Sequence, residues 1–379
     1  MKFKTRKILI ICLIATLAIS MISAGSAATI SPTTPGGLEK AIDDAENGDT
    51  INLKNGVYTI NKFVLIEKNI KIIGGSNVVF NSKGKGGISI IHYLQKPTVT
   101  LEKIKFKNFK EHPLLVHSSG QNKLTVDNCV FSNNKGFGGG AISAHGGSLT
   151  IRNCVFNNNK AAFGGAISAR GSLTISKCTF TNNKAFDGSG GAIDAENLVI
   201  RDCTFTNNQE TSDFGSGGAI SGGTIDSKGK LSITNCKFIM NSADLGGAIE
   251  STAKMTINKC TFTNNKAKWH GGAIRSKNQL SINNSTFTKN YVKLNRGGGA
   301  IESEAKLSIN NCNFINNKAG YSGYNNNGGG AILVEKSKTT IVNSKFINNT
   351  AGNVYNAICG KATLKNVKIS PKHGTKVKK

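Results

Sequence analysis

Paired carboxylates, imidazoles, amines and thiols are the groups that could give this chain a chemistry. Glycoside hydrolysis needs two carboxylates roughly 5–5.5 or 6.5–9.5 Å apart. Elimination needs an acidic calcium cluster and a basic proton acceptor. The acidic candidates are Asp194 with Glu196, Glu250, and Glu302 with Glu304, each placed just after an Ala-Ile pair. Equivalent positions elsewhere hold Ser143, Ser168, Ser221, Arg275, Leu333 and Cys359, so no two neighbouring units both supply a carboxylate. His145 and His270 stand alone in the sequence. These residues compose no catalytic set, and function has to be argued from a site. The chain therefore reads as a non-enzyme without cofactor or metal, with a polysaccharide lyase or hydrolase as the alternative.

Two other sets suit binding. Lys135, Lys160 and Lys184 follow Asn-Asn pairs in three consecutive units, and Lys266 and Lys318 recur later. Lysines stacked about 5 Å apart would repel by roughly 0.8 kcal/mol in water. An anionic ligand along the row would relieve that repulsion; a solvated edge that discourages aggregation is the competing reading. An apolar residue precedes most Gly-Gly pairs: Phe137, Phe163, Phe186, Phe214, Leu245, Trp269 and Leu294. Such aromatics can stack on sugar rings or cover a corner, and contiguous exposed apolar stripes are rare without a partner. Lys135, Lys160, Lys184, Phe163 and Trp269 are the candidate ligand contacts.

What must position these groups is a repeat. One unit reads Leu-Thr-Ile-x-Asn-Cys-x-Phe-x-Asn-Asn, a variable stretch, then Gly-Gly-Ala-Ile. The cysteine position runs through Cys129, Cys154, Cys178, Cys203, Cys236, Cys260 and Cys312, with Ile104, Ser285, Ser344 and Val367 as substitutes, at intervals of 23 to 33 residues. Phe131, Phe156 and Phe180 head a second column, Asn134, Asn159 and Asn183 a third, Ile142, Ile167 and Ile193 a fourth. The apolar period within a unit is two, which means strands. Asn128, the Asn pair and the Gly pair supply corners, because Asn and Gly tolerate left-handed backbone. No helix-length segment separates the strands, which excludes a βαβ layout.

Short strands joined by corners make a coil, and coils stack about 4.8 Å apart into a right-handed, single-stranded parallel β-helix. About thirteen coils give a rod roughly 60 Å long. The columns become interior ladders: reduced, buried thiols rather than disulfides, whose torsions suit parallel side chains poorly, and amides that satisfy one another at a corner. Cys359 lies one place past the Ile column and should face outward. The helical spacing of Leu38, Ala41, Ile42 and Ala45 predicts a capping helix within residues 35–48.

Nine units carry Phe-x-x-Asn, from Phe131–Asn134 to Phe346–Asn349, and eight carry Gly-Gly-Ala-Ile, from Gly139–Ile142 to Gly329–Ile332. In this alternation the chain resembles the polymorphic outer-membrane proteins of chlamydial type and the adhesin-like surface proteins of methanogenic archaea. The resemblance implies a pectate-lyase-like β-helix and adhesion at a cell surface. No translocator barrel follows the last rung within this sequence, so the expectation is that the archaeal group is the nearer of the two.

Residues 1–28 read as a signal peptide: Lys2, Lys4, Arg6 and Lys7, an apolar run from Ile8 to Ile22, then small residues. Residues 29–370 are one β-helix domain, with repeats over 99–369, and 371–379 form a basic tail. Lys and Arg number 48 against 21 acidic residues, for a net charge of +27. An exported lysine-rich rod points to anionic envelope or host glycans and surface proteins rather than nucleic acid. The expectation is a secreted or cell-surface adhesin, or a structural envelope component, associated with the outer membrane if the source is Gram-negative.

Overall fold

The structure, a computed structural model, describes residues 25–378 except residue 85 and the stretches 93–95, 119–121, 223–228, 295–296, 321–327, 336–337, 353 and 372–376. Most of the predicted signal peptide and tail therefore lie outside the described residues. Ala27–Ile30, at the predicted leader's end, forms the first strand and pairs in parallel with Thr50–Leu53.

The chain winds into a parallel β-solenoid of about thirteen turns with almost no helix. Among the described residues, 34 strands join one continuous sheet and ten form a second. The phenylalanine row measures the rise directly: from Phe106 to Phe346 neighbouring rings lie 4.7–4.9 Å apart and within 5° of parallel. All are fully buried.

Each predicted corner has its physical cause on display. Asn128, Asn153 and Lys177 hold φ near +53°, which reverses the inward parity between Leu-x-Ile and Cys-x-Phe. After each Phe the first residue of the Asn pair is also left-handed, as at Asn133 and Asn158, and the second turns inward. There Asn134 Nδ2 donates to Asn159 Oδ1 at 3.0 Å and to the Phe106 carbonyl at 3.1 Å, while the Asn134 N–H donates to that same Oδ1 at 3.1 Å. The pattern continues to Asn349, so a fully buried amide column leaves few orphaned groups. At the Gly-Gly corner, Gly164 (φ +57°) could not carry a Cβ, which would lie 2.0 Å from the Ile167 carbonyl oxygen.

Two details refine the sequence reading. The stretch after each Asn pair is not simply loop: it opens with a strand of the ten-stranded sheet, as in Lys135–Gly138 and Lys160–Phe163. The Ile strand also runs on into the next Leu-Thr-Ile, as in Ile142–Arg152, with a bulge between His145 and Ser148. The cysteines of the column carry free, buried thiols. Burial pushes the Cys312 thiol up to about 11, and the neighbouring thiol of Cys178 pushes Cys203 up to about 12. The column is chemically inert packing. An eight-residue helix, Gly37–Asp44, lies where the cap is predicted and buries Leu38 and Ile42.

Candidate functional site

Two features of the outer surface gather the candidate residues. The first is the edge formed by the ten-stranded sheet. Lys135, Lys160 and Lys184 are Cα partners in consecutive coils, and the same row continues through Gln209, Ser242, Lys266, Tyr291 and Lys318. Beneath them pack small side chains, Ala161, Ala185, Ala267 and Val292, which bring the strand close to the rod. Lys160 Nζ sits 5.3 Å from the centre of the Phe186 ring, and Lys266 Nζ 5.9 Å from that of Tyr291.

The aromatics beside this row do not form one column. Phe163 pairs in register with Gly138, not with Phe137; a register shift after Ala161 then aligns Phe163 with Ser189, and another after Ala243 aligns Leu245 with His270. Phe163 and Trp269 are half-buried, whereas Phe137 is 71% exposed, Phe214 70% and Phe186 47%. A corner-covering role thus fails for these three. Phe137 meets Phe163 edge-on at 5.6 Å, and Phe214 stacks 6.3 Å from Trp269. The result is an exposed edge of aromatics interleaved with lysines.

The second feature is a crevice. The residues after each Ile point away from the interior, yet they are covered. Gly138 lies over Ser143, with a Cβ there meeting Ser143 Oγ at 3.5 Å and Ser168 Oγ at 3.9 Å. The row from Gly138 to His270 is thus one wall, and the floor runs Ser143, Ser168, Asp194, Ser221, Glu250, Arg275, Glu302. Asp194, Glu250 and Glu302 are buried rather than displayed. Arg170 pairs with Asp194 at 2.8 Å. Arg275 lies 3.9 Å from Glu250 and 2.7 Å from Glu304, and Lys277 is 3.2 Å from Glu250. Glu302 Oε1 is 2.7 Å from His270 Nδ1, off the line of a good hydrogen bond. Burial pushes the Asp194 and Glu302 carboxyls up, against the pull of Arg170 and His270 respectively.

The sequence places His145 and His270 alone; the fold does not. Besides the His270–Glu302 pair, His145 partners His117 of the preceding coil, their ring centres 5.0 Å apart. His117 escaped notice because its unit lacks the Gly-Gly-Ala-Ile signal that marks the register. Among the described residues no three His, Cys, Asp or Glu side chains converge as a metal cluster. No described helix is long and apolar enough to cross a membrane.

A family model supports the architecture. The family described as "Right handed beta helix region" matches residues 55–238, 170–329 and 224–370. No curated protein matches the chain. Among solved structures, the catalytic unit of a GH87 alpha-1,3-glucanase from Streptomyces thermodiastaticus is 13% identical, with a TM-score of 0.44 over 94% of this chain and 71% of that one. ORF18 of Geobacillus virus E2 is 12% identical, with a TM-score of 0.33 over 87% and 56%. A PL6 family alginate lyase is 10% identical, with a TM-score of 0.25 over 93% and 99%.

Proposed function

The chain belongs to the right-handed β-helix family, and from that premise we propose that it engages an extended anionic polysaccharide, as an adhesin-like protein acting outside the cell. The exposed edge of Phe137, Phe186 and Phe214 interleaved with the lysine row carries this reading. Aromatic faces suit the apolar faces of sugar rings, and ammonium groups suit carboxylates or sulfates. The strand repeat of about 4.8 Å offers an extended chain similar contacts at every coil. A net charge of +27 adds long-range attraction.

Cleavage of the polysaccharide is the second reading, favoured by the crevice carboxylates. Asp194 and Glu250, and again Glu250 and Glu302, stand two coils apart, or about 9.6 Å along the stack, near the separation used for inversion at a glycosidic bond. Their burial argues for binding first: Glu302 has no exposed surface, and a catalytic carboxyl must reach its substrate.

Full-length protein exposed to polygalacturonate, alginate and neutral glucan, with and without calcium, tests both. Binding predicts retention on the acidic polymers, weakening with salt because lysine attraction is screened beyond about 8–10 Å at 0.1–0.15 M. Unsaturated or reducing-end product lost in Glu250→Gln would establish cleavage. Equal retention on neutral and acidic polymers would sink the proposal.

A further inference from the structure

We propose that His117 and His145 form a chelating pair for a divalent transition-metal ion of the zinc, nickel or copper(II) class, a site separate from the polysaccharide edge. The two residues are Cα partners on adjacent parallel strands, and both are exposed. Their ring centres lie 5.0 Å apart, with the planes inclined by 38°. With metal–nitrogen bonds of about 2.0–2.1 Å, an ion sits roughly 3.2 Å from each ring centre, and a tetrahedral angle then separates the two centres by about 5.2 Å. The rings therefore already have the separation that a shared ion requires, and the backbone ladder holds them there.

Neighbouring groups favour this use of the pair. Ser143 Oγ lies 3.2 Å from His145 Nε2. With Nε2 engaged by that hydroxyl, Nδ1 is the nitrogen of His145 left to ligate the ion, as outer groups arrange for imidazole ligands. The next residue in the row, Arg170, has its charge offset by Asp194 at 2.8 Å. No third His, Cys, Asp or Glu joins the pair among the described residues, so water completes the coordination. Two imidazoles without a carboxylate select borderline transition metals over calcium or magnesium, which prefer oxygen ligands.

The test is calorimetric titration of the full chain with zinc, nickel and copper(II) chlorides, in a Cys359→Ser background that removes the half-exposed thiol. One ion should bind per chain. His117→Gln and His145→Gln should each weaken binding by more than the roughly 10–100-fold typical when only an outer partner of a metal ligand is removed. His270→Gln, remote from the pair, should leave affinity unchanged, and circular dichroism of every variant should match the parent. With copper(II), electron paramagnetic resonance should show coupling to two nitrogens that disappears in the double variant. An ion that binds the double variant as tightly as the parent would place the site elsewhere and overturn the proposal, as would a parent chain that takes up none of the three metals. Polysaccharide retention should be the same in the double variant, which keeps this result independent of the edge.

Discussion

From Phe106 to Phe346 the interior row holds ten phenylalanines without exception, while the crevice floor over the same coils changes from Ser to Asp to Glu to Arg. The two rows share backbone, rise and number of coils. They differ in what each side chain must match. An interior ring is enclosed by the rings above and below at 4.7–4.9 Å, so a smaller neighbour leaves a cavity on both sides. A floor residue lies under the covering wall, and where it is charged it finds an ion partner in a neighbouring coil, as Arg275 does with Glu304. Repetition is thus a demand of self-stacking, and variation survives where partners are of another kind. The part of the molecule free to vary is the part able to specialise.

The comparison breaks most readily at the interior. Phe180→Ala should cost roughly 3–5 kcal/mol as a core cavity, read from the denaturant midpoint. A loss below about 1 kcal/mol would mean that the row does not bear the stacking assigned to it. Asn183→Ala should come next. It removes the acceptor for the Asn159 N–H and Nδ2 and the donor to the Phe156 carbonyl, and each orphaned buried group costs roughly 1–3 kcal/mol. Native-state hydrogen exchange should show the protection lost at Asn159 in particular, and unchanged exchange there would contradict the ladder.

The crevice predicts a dependence on pH. Glu302 has a folded-state affinity for protons above its unfolded value, because burial outweighs the help of His270. The folded chain therefore holds more protons than the unfolded chain in this window. The contribution of Glu302 to stability should be fully present below the ordinary glutamate range, about pH 4, and should be lost as pH rises through the raised folded value. Asp194, raised by burial in the same way, adds a decline of the same sign. Glu302→Gln should flatten the decline measured from denaturant midpoints between about pH 4 and 7. If the slope is identical in the variant, the carboxyl is not held in the state described.

The lysine edge should show the smallest effect on folding and the clearest effect on binding. Changing Lys135, Lys160 and Lys184 together to Gln removes like charges about 4.8 Å apart, so stability should stay within about 0.5 kcal/mol or rise slightly. Retention on an acidic polysaccharide should fall, and its salt dependence should flatten. Phe137→Ala or Phe214→Ala should lower retention without altering that salt dependence. Loss of retention in the Phe variants alone would move the contact from charge to ring stacking.

Much of this was legible in the sequence, and for a definite reason. A solenoid coil contacts its immediate neighbours, so a period read along the chain becomes a ladder in space. The Cys, Phe, Asn and Ile columns, the left-handed corners at Asn128 and its equivalents, and the capping helix all follow from spacing and residue type. The lysine row also stacks as its spacing implies, because it sits one residue after a corner and no bulge intervenes.

Only the tertiary structure decided the surface beyond that point. Register shifts after Ala161 and Ala243 broke the apparent aromatic column, and no period reports a one- or two-residue slip within a strand. The Gly-Gly corner folds one row over the next, which turned outward-pointing Asp194, Glu250 and Glu302 into buried groups. That fold-back also brought His270 to Glu302, 32 residues away. Alternation tells which side of a strand a residue faces; whether that side meets water depends on what the neighbouring corner lays across it, and that is set by backbone geometry in three dimensions.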